Sequence, residues 1–140
     1  MKDRSGEAHR WYDEAGSDVA FARVGLREGS YSKVCFLCQQ AGEKALKALA
    51  YGDGERFVAG HSLQDLLVRL LPRHPSVEPL RDSCRVLDQY YVPTPYPNAL
   101  PGGVPYRSYT EERARQAISG CEQVMAAVRD ELRRAGITVE

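Results

Sequence analysis

The sequence predicts an all-α protein, an up-and-down bundle of about five helices that resembles no mixed or β architecture. Apolar residues recur at three- and four-residue spacings in several separate stretches, the signature of amphipathic helices. No segment shows the two-residue alternation of a half-buried strand. Short connections marked by Gly, Ser and Pro separate the periodic stretches, which makes consecutive helices antiparallel neighbours.

The first helix is expected from about Ala8 to Glu28, with Trp11, Ala15, Val19, Ala22 and Leu26 on one face and Gly29 as its left-handed terminator. Residues 1–7 read as flexible. Ser30 or Ser32 supplies the cap of a second helix, which runs through Tyr51 and stops at Gly52-Asp53-Gly54. Its apolar stripe, Val34, Cys38, Ala41, Ala45 and Ala48, is made of small side chains that let another helix approach closely, so this is the inner helix of the bundle. Glu43, Lys44 and Lys47 fall on its other faces, and Glu43 precedes Lys47 in the favourable i,i+4 order.

Ser62, with Asp65 three residues on, has the form of a capping box and opens a third helix that extends through Leu71. Pro72 and Pro75 end it. A fourth helix is expected from Val77 to Tyr91, with Leu80, Cys84, Leu87 and Tyr91 in register. Residues 92–106 carry five Pro and two Gly in fifteen positions, a composition that suits neither helix nor ordinary strand. Thr110 caps the last helix, with Glu111 and Glu112 where the dipole favours them, and Gly136 closes it. The apolar face of that helix is Ala114, Ala117, Ile118, Cys121, Met125, Val128 and Leu132. The 140 residues therefore form one domain with a core over about 8–135 and a flexible tail at 137–140.

Nineteen basic residues balance nineteen acidic ones. Zero net charge gives no general attraction to polyanions, so no DNA and no membrane partner is expected, and any nucleotide or RNA site must be local. No apolar run reaches the length of a bilayer span, and the first residues lack the apolar stretch of a signal peptide; the expected location is cytoplasmic. Cys35 and Cys38 form one CxxC inside a helix, without the second pair of a zinc ribbon or the preceding strand of a redox motif. These two, Cys84 and Cys121 read as small buried hydrophobes, and no metal or cofactor is expected. P-loop, GxSxG and HExxH strings are absent from the sequence.

Two places concentrate polar and aromatic groups. One is the second helix, with Lys44 and Lys47. The other is the stretch Asp88 to Asn98, with Tyr90, Tyr91 and Tyr96, extended by Tyr106, Arg107 and Tyr109. Tyrosines on a Pro-stiffened segment can stack on bases while nearby cations hold phosphates. The alternative is that these rings only close one end of the bundle.

Three stretches in order carry a family resemblance. Gln40-Ala41-Gly42-Glu43-Lys44-Ala45-Leu46-Lys47-Ala48, then His61-Ser62-Leu63, then Leu87 through Tyr91 with Pro93, Thr94, Tyr96 and Pro97, resemble the HEPN domain of prokaryotes from about Trp11 to Leu132. That resemblance implies a small helical bundle that homodimerises and associates with nucleotide or RNA. It also implies a minimal nucleotidyltransferase partner in a toxin–antitoxin-like pair. Two departures matter. Pro95 stands where relatives carry Arg, which removes a phosphate-binding cation. Nuclease members of the superfamily place an Arg and, four to six residues later, a His near the start of the last helix; Arg107 is in about that place, but no His follows it. The expected function is therefore a non-catalytic module with no catalytic residues. The alternatives are a metal-independent ribonuclease using His61, His74 and Arg69, and a structural helical dimer without ligand.

Overall fold

Asp3 starts the first helix by accepting a hydrogen bond from the Ser5 amide at 3.2 Å, and α1 runs Arg4–Glu28. The computed structural model describes residues 3–91 and 95–140, so Val92, Pro93 and Thr94 of the Tyr-Pro stretch lie outside the described residues. α1 thus begins well before Ala8, because Asp3 satisfies an N-terminal amide that would otherwise be left open. At its other end Gly29 takes φ 78°, its amide reaching Leu26 O and that of Ser30 reaching Gly25 O. Those paired bonds are a Schellman termination, which needs a residue without Cβ at that φ. The two-residue link then turns the chain back into α2 (Tyr31–Gly52) alongside α1.

α2 is the axis of the molecule. It packs along α1 on one side and α6 (Glu111–Arg134) on another, and it also meets α3 (Leu63–Leu70) and α4 (Arg81–Asp88). Val34, Cys38, Ala41, Ala45 and Ala48 are fully buried, as the small-residue stripe predicts. Burial extends further round the helix than one stripe, taking in Cys35, Leu46, Leu49 and the polar Gln39, Glu43 and Lys47. Gly42 marks the closest approach: a Cβ there would lie 2.5 Å from Leu63 Cδ2 and 3.4 Å from Leu87 Cδ1.

Beyond α3 the chain departs from the expected pattern. In place of one helix from Val77 to Tyr91, a 3₁₀ turn covers Pro75–Leu80 and α4 covers only Arg81–Asp88. Pro79 is the cause, since it removes an amide donor and disfavours α geometry at the residue before it. Within the Pro-rich stretch a 3₁₀ turn at Pro97–Ala99 and a one-turn helix, α5 (Pro105–Ser108), form where continuous loop is expected. Pro105 is at the first helical position of α5, where a missing amide costs nothing. Six α-helices and no strands are present among the described residues.

Thr110 Oγ1 accepts from the Arg113 amide at 3.2 Å and opens α6 as expected. The C-terminal residues do not trail into solvent. Ile137 and Val139 are buried, the Ile137 amide donates to Leu132 O at 2.8 Å, and His9 Nε2 lies 2.7 Å from Thr138 O. Two apolar side chains at alternate positions give this segment a face to bury, and that holds it against α1 and α6.

Candidate functional site

Lys44 and Lys47 are not on an open face. Lys47 is only 6% exposed, its ammonium 3.0 Å from Glu43 Oε2 and 5.6 Å from the centre of the Trp11 ring. Lys44 reaches across to α1 and pairs with Asp18 at 2.7 Å. A helical wheel puts both on the polar side of α2, but α2 has neighbours on nearly every side, and buried charges persist only when paired. Glu43, 5% exposed, is the hub of this interior polar group. It meets Lys47, Gln39 Nε2 at 3.4 Å, and His61 Nδ1 at 3.3 Å from each carboxylate oxygen.

Asp88 acts as a second cap for α3. Its carboxylate accepts from Ser62 Oγ at 2.9 Å and from the Leu63 and Gln64 amides at 2.7 and 3.1 Å. The Ser62 hydroxyl in turn accepts from the Asp65 amide at 3.2 Å. Asp88 therefore joins the end of α4 to the start of α3, where the helix dipole also favours a negative charge.

The tyrosines divide into three kinds. Tyr90 is buried edge-on against Tyr109, and the Arg113 guanidinium lies 5.3 Å and 4.6 Å from the centres of these two rings. Tyr91 is half-buried between Phe36, at 6.4 Å, and the His61 ring, at 4.8 Å with 16° between planes. Tyr96 and Tyr106 are exposed, with Arg107 over the Tyr106 ring at 5.0 Å.

Beside these rings lies a groove of about 540 Å³, within the range of small-molecule sites. Phe21 of α1 and Phe36 and Leu37 of α2 form one wall, and Pro95, Pro97, Pro105 and Tyr106 form the other. Lys33 brings a cation to the same groove. The Pro-rich stretch thus supplies one wall, as its composition suggests, while the α1–α2 wall was missed in the sequence. The signal was weak: Phe21, Lys33 and Phe36 fall off the small-residue faces of their helices, but apolar residues scattered singly on a surface are common and do not mark a site by themselves.

The other charged candidates have partners of their own. His74 is buried between Glu131, 2.8 Å from Nδ1, and Asp53, 2.9 Å from Nε2. Burial by itself would raise the Glu131 carboxyl, but hydrogen bonds from His74 and Ser76 and the charges of Arg134 and His74 bring it below its ordinary value. Arg69 pairs with Glu55 at 2.5 Å, so Arg69 and His74 are directed to different carboxylates. His9 is pushed above its ordinary value by the carbonyls of Ser5 and Thr138. The four cysteines are buried and unpaired. Burial raises the Cys35 thiol to about 11 and that of Cys84 to about 12, while contact with Cys121 and then burial raise Cys38. Thiols held protonated in this way are poor nucleophiles.

A family model described as the HEPN domain matches residues 8–131. Solved structures of similar fold include the TT1696 protein of Thermus thermophilus, with a TM-score of 0.85, 37% identity, and coverage of 89% of this chain and 97% of that one. The archaeal HEPN homologue ST0689 gives a TM-score of 0.74 at 31% identity, over 94% of this chain and 99% of its own. A HEPN domain protein of Thermotoga maritima, tm0613, gives 0.73 at 31% identity, over 90% and 99%. No curated protein matches the sequence.

Proposed function

This chain belongs to the HEPN domain family, and from that premise we propose that it is a non-catalytic HEPN module that homodimerises, associates with a minimal nucleotidyltransferase-type partner in a toxin–antitoxin-like system, and holds nucleotide or RNA weakly. The partner and the dimer rest on the family. The ligand rests on one observation, the groove between α1, α2 and the 95–106 segment. Its aromatic and prolyl walls offer flat apolar surfaces to a base, while Lys33 lines the groove and Arg107 follows the lining residue Tyr106 in α5.

Magnitudes favour weak binding. Stacking on an aromatic ring contributes about 1–3 kcal/mol per base, and one charge-assisted phosphate contact about 1.5–3 kcal/mol. With Pro95 in place of an Arg, those gains correspond to dissociation constants of roughly tens to hundreds of micromolar.

A titration of labelled nucleotide and short RNA against wild type and variants, with cleavage followed on a gel, tests this reading. Pro95→Arg should tighten binding, whereas Tyr106→Ala, Lys33→Ala or Arg107→Ala should weaken it, and none should alter cleavage. Metal-independent cutting of RNA by wild type, stopped by His61→Ala or His74→Ala, would establish the ribonuclease reading instead. Absence of binding in every variant would leave the groove as a bundle cap and the partner without a ligand.

A further inference from the structure

The chain has three histidines, and their ring nitrogens are engaged very differently. His9 directs Nδ1 to Ser5 O and Nε2 to Thr138 O, both at 2.7 Å. His74 directs both nitrogens to carboxylates and is buried. His61 has Nδ1 on Glu43, while its side chain is 58% exposed and Nε2 meets no hydrogen-bonding group among the described residues.

Three groups position His61, through Nδ1, its backbone carbonyl and one face of the ring. Glu43 is buried on the central helix and anchored by Lys47 and Gln39. Gln39 Nε2 also donates to the backbone carbonyl of His61 at 2.8 Å, and Tyr91 stacks on one face of the imidazole. A carboxylate on Nδ1 selects the tautomer protonated there, which leaves the lone pair on Nε2. Attack through that lone pair puts positive charge on the ring, and Glu43 is already in position to stabilise it.

Among the described residues, the polar groups nearest His61 are already engaged elsewhere. The Ser62 hydroxyl and the Leu63 and Gln64 amides are taken by Asp88, and Lys44 by Asp18. An oriented nucleophile without an anion-binding pocket of its own suits a group that receives a substituent from a separate donor. We propose that His61 is a phosphoryl-acceptor site, its Nε2 taking a phosphoryl group from a small donor of the acyl phosphate or phosphoramidate class. The Nε2 lone pair forms the N–P bond as the P–O bond of an acyl phosphate breaks, the electron pair leaving with the carboxylate. With a phosphoramidate the P–N bond breaks and ammonia leaves. The Nδ1 proton stays in its hydrogen bond to Glu43. This site is separate from the groove and does not depend on nucleotide binding there.

The test exposes the full chain to phosphoramidate and, separately, to acetyl phosphate, with ³¹P NMR for the product and peptide mass spectrometry for its position. The expected product is one acid-labile, base-stable phosphoryl group on Nε2 of His61, formed about tenfold or more faster than any label on His9, the size of effect an oriented second ring nitrogen contributes. His61→Asn should remove it, and Glu43→Gln should slow it by a similar factor. If Glu43→Gln does not fold, the wild-type comparison of His61 with His9, and of Nε2 with Nδ1, still decides. Equal labelling of the two histidines, label on Nδ1, an unchanged rate in folded Glu43→Gln, or no labelling by either donor would overturn the proposal.

Discussion

His74 joins two elements through its two ring nitrogens, between Asp53 at the end of α2 and Glu131 on α6. Truncating it leaves the Asp53 and Glu131 carboxylates without the group they share, beside a pocket that Arg73, Ser76 and Arg134 also line. Leaving hydrogen-bonding groups in so enclosed a place without their partner costs roughly 1–3 kcal/mol, so His74→Ala should lower the urea midpoint clearly, whereas an exposed pair such as Arg85–Asp82 should give almost nothing on removal. The pH response follows from Glu131. Its carboxyl is held below the ordinary 4.5, so the stability it contributes is fully present above that value. That contribution is lost as pH falls through the lower, folded-state value. Thermal midpoints measured downward from pH 5 should therefore fall more steeply in wild type than in Glu131→Gln, and parallel curves would contradict the assignment. Neither carboxylate contact could be read from the sequence, where His74 is a loop residue between Arg73 and Pro75. The same limit hid Glu43: residue spacing shows which side of a helix a charge is on, but not how many neighbours the helix has.

At the scale of elements, the long helices were legible because their periodicity and their ends agree. α1 and α6 carry both an apolar face and recognisable terminators, Gly29 and the Thr110 cap among them, while α2 carries the face and begins after Ser30 without the side-chain capping bond its sequence suggests. The shorter pieces were not, because a single backbone effect outweighs a few side chains in register. Pro79 broke the fourth helix although Leu80, Cys84 and Leu87 remain on the core side. Tyr90, not Tyr91, then turns inward. How closely the elements approach can be tested at Gly42. A methyl group there meets Leu63 at 2.5 Å, with Leu87 just behind, so α3 must shift or Leu63 must leave its rotamer. Overpacking of this kind costs about 1–3 kcal/mol, which exceeds the gain of up to about 1 kcal/mol from exchanging Gly for Ala inside a helix. Gly42→Ala should be destabilising in chemical denaturation, and Gly16→Ala, where a Cβ meets nothing within 4 Å, should be stabilising. A Gly42→Ala protein as stable as wild type would mean that α3 is more loosely held than these distances imply.

On the scale of the whole molecule, the proposed homodimer needs a self-complementary apolar face, since a chain of zero net charge has no electrostatic reason to avoid its own copy. α1 has one conspicuous candidate. Phe21 and Val24 are one helical turn apart, 65% and 40% exposed, on a helix whose opposite side is packed into the core. Phe21 also forms part of the groove wall, so a second copy docked there would narrow the groove or complete it. Quaternary state and ligand binding then become linked, and the linkage can be measured. Light scattering at tens of micromolar should give twice 15.6 kDa for wild type. Phe21→Asp should shift the mass toward the monomer, because a carboxylate at the centre of an apolar interface has no partner. Nucleotide affinity should change with protein concentration in wild type and not in the monomeric variant, because only a ligand site coupled to the interface responds to mass action. A wild-type mass near 15.6 kDa would rule out the homodimer, and a Phe21→Asp protein that stays dimeric would move the interface away from this face of α1.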